Sequence, residues 1–434
     1  MEEILSRAKK VADQAEVFQV SSKVTPVRFE ANRLKQIQSK ESISTALRLI
    51  KGGKVGFAQA NGFIEPSTLV EMATETCQFG TPVKFKFPNP KAYPKLDIFD
   101  PQIDKVTIEA MVELGEQLMA AIRQHTPDIL CEASVTKGTT SVSIINSEGG
   151  EASYSKSFFN LGVEGVLIKD EDMLFVGDSQ SSCHPVSDFK SIAEEVIKQL
   201  ELAKKNVNIS AGMMPVIFTP HGVASTLIAP LVAAFNGKIV FDGVSPLKDK
   251  QGQQVFDKRF SLWDDATIPY QMASYPCDDE GVPGQRTPLV DQGVVSHFFY
   301  DLQTAALANT LSTGNGSRHG GLPTPSPSSL VIDKGDTSFW DMIKDIQEGL
   351  VVEFSMGAEQ GNILNGDFSG NVLLGYKVEN GEIAGRVKDS MVSGNVYQAL
   401  RQIEATGQEP RWVEGFLLTP CIYCSSLSVA TKTG

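Results

Sequence analysis

The sequence predicts an α+β protein, on three observations. Apolar and polar residues alternate in successive short runs joined by Gly and Asn turns, the pattern of half-buried antiparallel strands. Segments with helical spacing flank those runs and do not separate them one by one, which argues against a doubly wound sheet. A length of 434 residues exceeds one ordinary core, so two or three domains are expected.

Ile4, Leu5, Ala8, Val11, Ala12 and Ala15 fall at helical spacing, which predicts an opening amphipathic helix over 1–15. From Glu16 to Gly62 the pattern changes to alternation, with Val27, Phe29, Ile37, Ile43, Thr45, Leu47 and Leu49 on strands and Asn32, Gly52-Gly53 and Asn61-Gly62 as turns. This reads as a meander of three or four antiparallel strands. A helix from about Pro66 turns Leu69, Met72 and Ala73 inward and ends near Gly80. Pro88, Pro90, Pro94 and Pro101 then mark a linker, so a first domain spans 1–90.

The plan recurs in a second domain over 105–208, with a helix over 106–123, strands near 129–138, 140–146, 150–158 and 160–168, and a helix over 187–205. Helix-flanked antiparallel meanders thus occur twice in the N-terminal half, which suggests an internal duplication. A third domain, 212–434, opens on an apolar strand at 214–218 followed by a helical stretch at 222–236. Further strands are expected at 293–299, 329–332, 350–354, 372–378 and 415–418, with short helices at 338–347 and 394–403. It is the larger domain, β-rich and mostly antiparallel, with inserted helices.

The net charge of −13 and pI near 5.0 repel phosphate backbones, so direct DNA binding is not expected. No apolar run approaches the roughly 18 residues that cross a bilayer, and the acidic start Met1-Glu2-Glu3 is unlike a secretory signal. Six cysteines scattered along the chain suit reduced thiols better than a disulfide framework. A cytoplasmic location is expected.

Four local features invite a functional reading. Cys421-Ile422-Tyr423-Cys424 has redox or metal half-site spacing, but in a strand the two thiols point to opposite faces. Half-buried strand cysteines are the favoured reading. The Gly-rich loop 312–321 lacks the Lys-Ser/Thr ending of a phosphate-binding loop. Its Asn315, Arg318 and His319 are candidates to line a peptide groove, together with Glu353 and Asp367 further along. Asp264-Asp265 and Asp278-Asp279-Glu280 have the chemistry to bind a hard cation, although solvated turns are their commoner meaning. No Gly-x-Ser-x-Gly elbow accompanies any of these.

Two passages resemble the TldD/PmbA family, long filed under the label "modulator of DNA gyrase". One is Val27-Arg28-Phe29-Glu30-Ala31-Asn32-Arg33-Leu34 with Leu47-Arg48-Leu49 and Gly53-Lys54-Val55-Gly56-Phe57-Ala58. The other is Gly349-Leu350-Val351-Val352-Glu353, Gly366-Asp367-Phe368-Ser369, the run from Gly375 to Ile383, and Gly394-Asn395. The resemblance implies a cytosolic peptidase whose active member holds zinc with a His-Glu-x-x-x-His helix and a later cysteine. It also implies a paired sister subunit that lacks them. In the active member two imidazoles grip the ion and the carboxylate takes a proton from its bound water.

Here the five histidines are His125, His184, His221, His297 and His319, and none is followed by Glu. Where the resemblance places the metal helix, Ile228, Ala229 and Ala233 stand for His, Glu and His. The segment 405–412 has no cysteine. The chain is therefore identified as a PmbA/TldE-like member, non-catalytic alone and without a cofactor of its own. The expected assembly is a dimer, with a TldD-like subunit that carries the zinc or with itself, that binds unfolded peptides and channels them to proteolysis. The alternatives are an autonomous homodimeric peptidase of the family and a regulator acting on DNA gyrase.

Overall fold

The computed structural model describes residues 1–431 and has 23% helix and 42% strand, an α+β fold. After helix α1 (Glu2–Ala8) comes a meander of β1 (Gln14–Glu30), β2 (Arg33–Ile37), β3 (Lys40–Lys51) and β4 (Lys54–Asn61), then α2 (Pro66–Thr76). Ala8 from α1, Ala15 and Val17 from β1, and Leu69 and Ala73 from α2 share one small core. The opening helix is shorter than expected because Ala15, which continues its apolar spacing, belongs to β1.

A short helix α3 (Gln102–Lys105) and a long one α4 (Ile108–His125) lead into β5 (Leu130–Asn146), β6 (Glu151–Lys169) and β7 (Asp172–Ser182), closed by α5 (Phe189–Leu202). The four strands expected over 129–168 are thus two long ones, paired from Leu130↔Val166 to Ile145↔Glu151. Gly138, where the first of the expected strands ended, is a packing position: a Cβ there would lie 2.4 Å from the Phe158 ring and 2.5 Å from the Lys23 carbonyl. Strand β7 was not foreseen, although Met173, Leu174, Phe175 and Val176 form an apolar run.

The two meanders are not separate sheets. One edge of β1 pairs with β3 and β2, and the other runs along β5 from Glu16↔Asn146 to Phe29↔Ala133. The result is one seven-stranded sheet, ordered β4-β3-β1-β5-β6-β7 with β2 on β1.

The C-terminal region begins with β8 (Gly212–Phe218). Val216 and Phe218 enter one large core while Ile217 enters another; burial on both faces explains the unbroken apolar run. Strand Glu348–Met356 pairs parallel to β8, and its Leu350 and Val352 split from Val351 in the same way. From β8 the pairing passes to Ile422–Thr431, Ser390–Asn395 and Asp367–Glu379, and the last pairs back onto Glu348–Met356. The strands therefore close into a ring. Of the strand expected at 293–299, Val294–Val295 forms a strand and Phe299 a single bridge to Asn236.

The helical stretch expected at 222–236 is two helices, α6 (Pro220–Thr226) and α7 (Ile228–Phe235). Pro230 has no N–H to give to the Thr226 carbonyl and its ring crowds it, so the helix restarts at Leu227 and takes the proline in its first turn. All six cysteines are unpaired, and no helix of the described residues is long and apolar enough to cross a membrane.

Candidate functional site

Strand β7 is the edge of the large sheet, and α5 packs over it. The side-chain amide of Gln199 on α5 accepts from the Gly177 N–H (2.9 Å) and donates to the Gly177 carbonyl (3.0 Å), which satisfies that stretch of edge. The neighbouring Asp178 side chain is fully buried and points toward the ring. Arg411, on strand Arg411–Val413, donates to one Asp178 oxygen and lies 3.6 Å from Glu195 of α5.

From the ring side, Thr219 caps α6 by accepting from the Gly222 N–H at 3.3 Å. A Cβ on Gly222 would sit 2.2 Å from the Val352 carbonyl, so glycine lets α6 press against its strand. This fixes His221, whose ring lies against Phe354 at 4.7 Å between centroids. His221 Nε2 stands 3.3 Å from Asp178 Oδ1, yet neither atom has a hydrogen-bond partner. The Tyr376 hydroxyl, buried nearby, also lacks one.

Two cavities meet at His221. One, about 570 Å³, runs over β6 and β7 past Glu132, Glu164 and Asp178. The other, about 510 Å³, is lined by Glu195, Lys198, Glu353, Tyr376, Arg411 and Cys421. Burial raises the Glu353 carboxyl, with Glu195 adding to it and His221 and Lys198 opposing. Burial, with Glu353 close by, pushes the Cys421 thiol up to about 12, so it is no nucleophile at neutral pH. Buried, unpaired donors and acceptors around a cavity are what a polar ligand requires. The arrangement can hold and orient such a ligand; it contains no activated nucleophile.

The five residues expected to line a groove do not meet. Glu353 alone lines the cavity. Asn315 is buried and donates to Asp264 (2.6 Å) and to the Ser326 carbonyl (3.0 Å). The Arg318 side chain is buried in an ion network with Glu16, His319 next to it is exposed, and Asp367 is exposed and accepts from Asn395 at 2.9 Å. Loop 312–321 is therefore mostly a lock, contrary to the groove expectation.

The acidic clusters are likewise not solvated turns. Asp278 and Glu280 are buried; Arg48 donates to Glu280 at 2.5 Å and to Glu16 at 3.1 Å. Asp264 accepts from Asn315 and Ser328. Cys424 is buried and Cys421 half-buried at the start of the last strand. On α7, Ile228 and Ala233 are buried while Ala229 is exposed, so only two of the three replacements serve as packing. Sequence reasoning missed Asp178, His221 and Arg411 as a group, since 43 and 190 residues separate consecutive members. The isolated His221 after a buried strand was the available signal.

Three family models match the chain: PmbA/TldA metallopeptidase domain 1 over residues 15–76, the central domain over 101–204 and the C-terminal domain over 211–431. An uncharacterized protein of Methanocaldococcus jannaschii is 27% identical over 97% of this chain and 98% of its own length. A metalloprotease of Methanothermobacter thermautotrophicus is 25% identical over 93% of this chain and 90% of its own. The crystal structure of TldE from Thermococcus kodakarensis has the same fold, with a TM-score of 0.92 at 24% identity over 99% of both chains.

Proposed function

Because the chain belongs to the PmbA/TldA metallopeptidase family, we propose that it is the non-catalytic, PmbA/TldE-like subunit of a zinc peptidase. In this reading it pairs with a metal-bearing, TldD-like chain and supplies part of the passage that brings unfolded peptide to the partner's zinc.

The observation that carries the reading is the chemistry of α7. A tetrahedral zinc site needs imidazole, thiolate or carboxylate donors, whereas Ile228, Ala229 and Ala233 offer only aliphatic groups. The residues present do not fit the ion. Among the described residues no three His, Cys, Asp or Glu side chains gather in a metal-holding arrangement. The fold around the vanished donors is kept, which supports a role that needs the scaffold and not the metal. The paired cavities at His221, with their unsatisfied Asp178 and Tyr376 oxygens, are where this chain would grip a peptide's polar groups.

The test is metal analysis and a peptidase assay on the isolated chain, then on the chain mixed with a TldD-like subunit. The expected result is substoichiometric zinc and no cleavage alone, cleavage in the mixture, and loss of that cleavage with His221→Ala. Stoichiometric zinc together with cleavage by the isolated chain would overturn the reading.

A further inference from the structure

The cavity of about 510 Å³ has in its wall a carboxylate that the fold leaves unanswered. On strand Glu348–Met356, Val352 pairs with Gly375 and Phe354 with Leu374, so Glu353 is one residue too many for its partner strand. Such a bulge re-aims a side chain, and here the residue it adds is the one that lines the cavity. Glu353 is 6% exposed, and its carboxylate forms no ion pair among the described residues. Of the groups that act on its pKa the Thr219 hydroxyl weighs least, and that hydroxyl lies 3.5 Å from the Glu353 backbone carbonyl. The cations of the same wall are engaged elsewhere. Lys198 and Arg411 face Glu195 at 3.4 and 3.6 Å, Arg411 also donates to Asp178, and His221 stands 3.3 Å from Asp178. The charge left over is that of Glu353.

The Tyr376 hydroxyl is the independent sign of a ligand. Tyr376, on strand Asp367–Glu379, is 1% exposed and lines the same cavity, and its oxygen has no hydrogen-bond partner. Buried hydroxyls normally have one. Tyr376 pairs with Val351, two residues before Glu353, which places both side chains on one face of the sheet. Burial and then the charge of Glu353 raise the phenol's pKa, so the two groups are neighbours. The cavity opens to solvent beside Trp340 and residues 408–410, which are exposed.

We propose that this cavity binds a primary ammonium group, which donates to Glu353 and Tyr376, so that the chain holds peptides by a free amine. The proposal rests on the peptide-passage reading above and names the group that is gripped. A buried carboxylate without a counter-charge is costly, and an ammonium supplies both the charge and the N–H donors that the two oxygens lack. A neutral or acidic group would leave Glu353 unmatched. The rings of Phe339 and Trp340 in the same wall suit a cation and the apolar side chain beside it. A peptide's amino terminus and a lysine side chain carry the same group.

The experiment follows binding to the isolated chain by anisotropy, using Ala-Phe-Ala-Ala with a fluorophore on its C-terminal amide. The comparisons are the same peptide acetylated at its amino terminus and acetyl-Lys-Phe-Ala-Ala, whose ammonium is on the side chain. At least one of the two ammonium-bearing peptides is expected to bind tenfold more tightly than the acetylated one, and which of them does identifies the source as amino terminus or lysine. Glu353→Gln should weaken that binding at least tenfold and Tyr376→Phe at least threefold. Glu194→Gln removes the same charge from an exposed position on α5 and should change it less than twofold. Neither cavity variant should melt below the parent, because neither group has a partner to lose. The proposal is overturned by acetylated peptide binding as tightly as the other two, by equal losses in Glu353→Gln and Glu194→Gln, or by lower melting of both cavity variants. Because no partner subunit is used, failure here leaves the zinc-free subunit reading standing. A mixture with a TldD-like chain that fails to cleave while ammonium binding holds would sink that reading instead.

Discussion

Replacing Arg48 with methionine tests whether the N-terminal sheet is tied to the C-terminal region through buried charge. The guanidinium is almost wholly buried, lies between Glu16 and Glu280, both fully buried, and faces the rings of Phe85 and Phe87 at 5.0 and 4.9 Å. Burial works against its charge, but the two glutamates outweigh burial and hold its pKa above the ordinary value. Methionine keeps most of the volume and removes the charge. Breaking a buried pair from one side costs about 3–5 kcal/mol, since the partners remain as uncompensated charges, and the lost ring contacts add about 1 kcal/mol. Arg318, which also binds Glu16, limits the damage to the lower part of that range, about 3 kcal/mol. Burial already raises the Glu280 carboxyl, against the pull of Arg48. Without Arg48 it holds its proton to higher pH, so the loss should be smaller at pH 5 than at pH 8. Urea unfolding followed by circular dichroism on the parent, Arg48→Met, Glu280→Gln and the double variant gives the coupling energy, expected to exceed about 1.5 kcal/mol. A single-variant loss under about 1 kcal/mol, or additive effects, would refute the reasoning.

Three more outcomes are expected. Burial pushes Asp264 up to about 6 from 3.8, against the bonds from Asn315 and Ser328. The folded protein therefore keeps a proton that the unfolded chain has released, and stability falls as pH rises from 4 to 6. At 1.36 kcal/mol per unit the decline is about 3 kcal/mol; the stability difference between parent and Asp264→Asn should move by that amount across the window, and a flat difference contradicts it. Gln199→Ala leaves the Gly177 N–H and carbonyl unpaired under α5 and should cost about 1–3 kcal/mol in urea unfolding, whereas a loss below about 0.5 kcal/mol would show that water replaces the amide. Burial pushes Cys183 up to about 11 and Cys424 up to about 12, so a thiol reagent at pH 7.5 should label the native chain over hours and the urea-unfolded chain in minutes; native labelling in seconds would contradict it.

The alternation of Leu47 and Leu49, or of Val27 and Phe29, was enough to place the N-terminal strands, because one buried face dictates a period of two. The helices over 108–125 and 189–202 were legible for the corresponding reason at helical period. What could not be read is where strands from distant segments join. Nothing local says that β1 pairs with β5 across a linker, or that Glu348–Met356 closes a ring by pairing with both β8 and Asp367–Glu379. The expected end of a strand at 138 illustrates the smaller errors, since β5 runs on through Gly138 to Asn146. Of the residues around the candidate site, Glu353 was singled out from the sequence and the isolated His221 was the other signal it held. Loop 312–321 misled because polar, turn-forming residues signal exposure on average, whereas Asn315 and Arg318 are consumed by buried carboxylates contributed from elsewhere in the chain.

Strand β1 has a consequence for how the protein can move and be divided. Fourteen successive residue pairs zip it to β5, so the first two family segments behave as one stiff plate, and the proline-rich connector between them is pinned along it, with Phe87 and Ile98 buried and the Phe87 N–H donating to Gln14 at 3.1 Å. Severing that connector would leave two fragments still laced together along their backbones, which makes it a natural place to split the molecule and reassemble it from separately made halves.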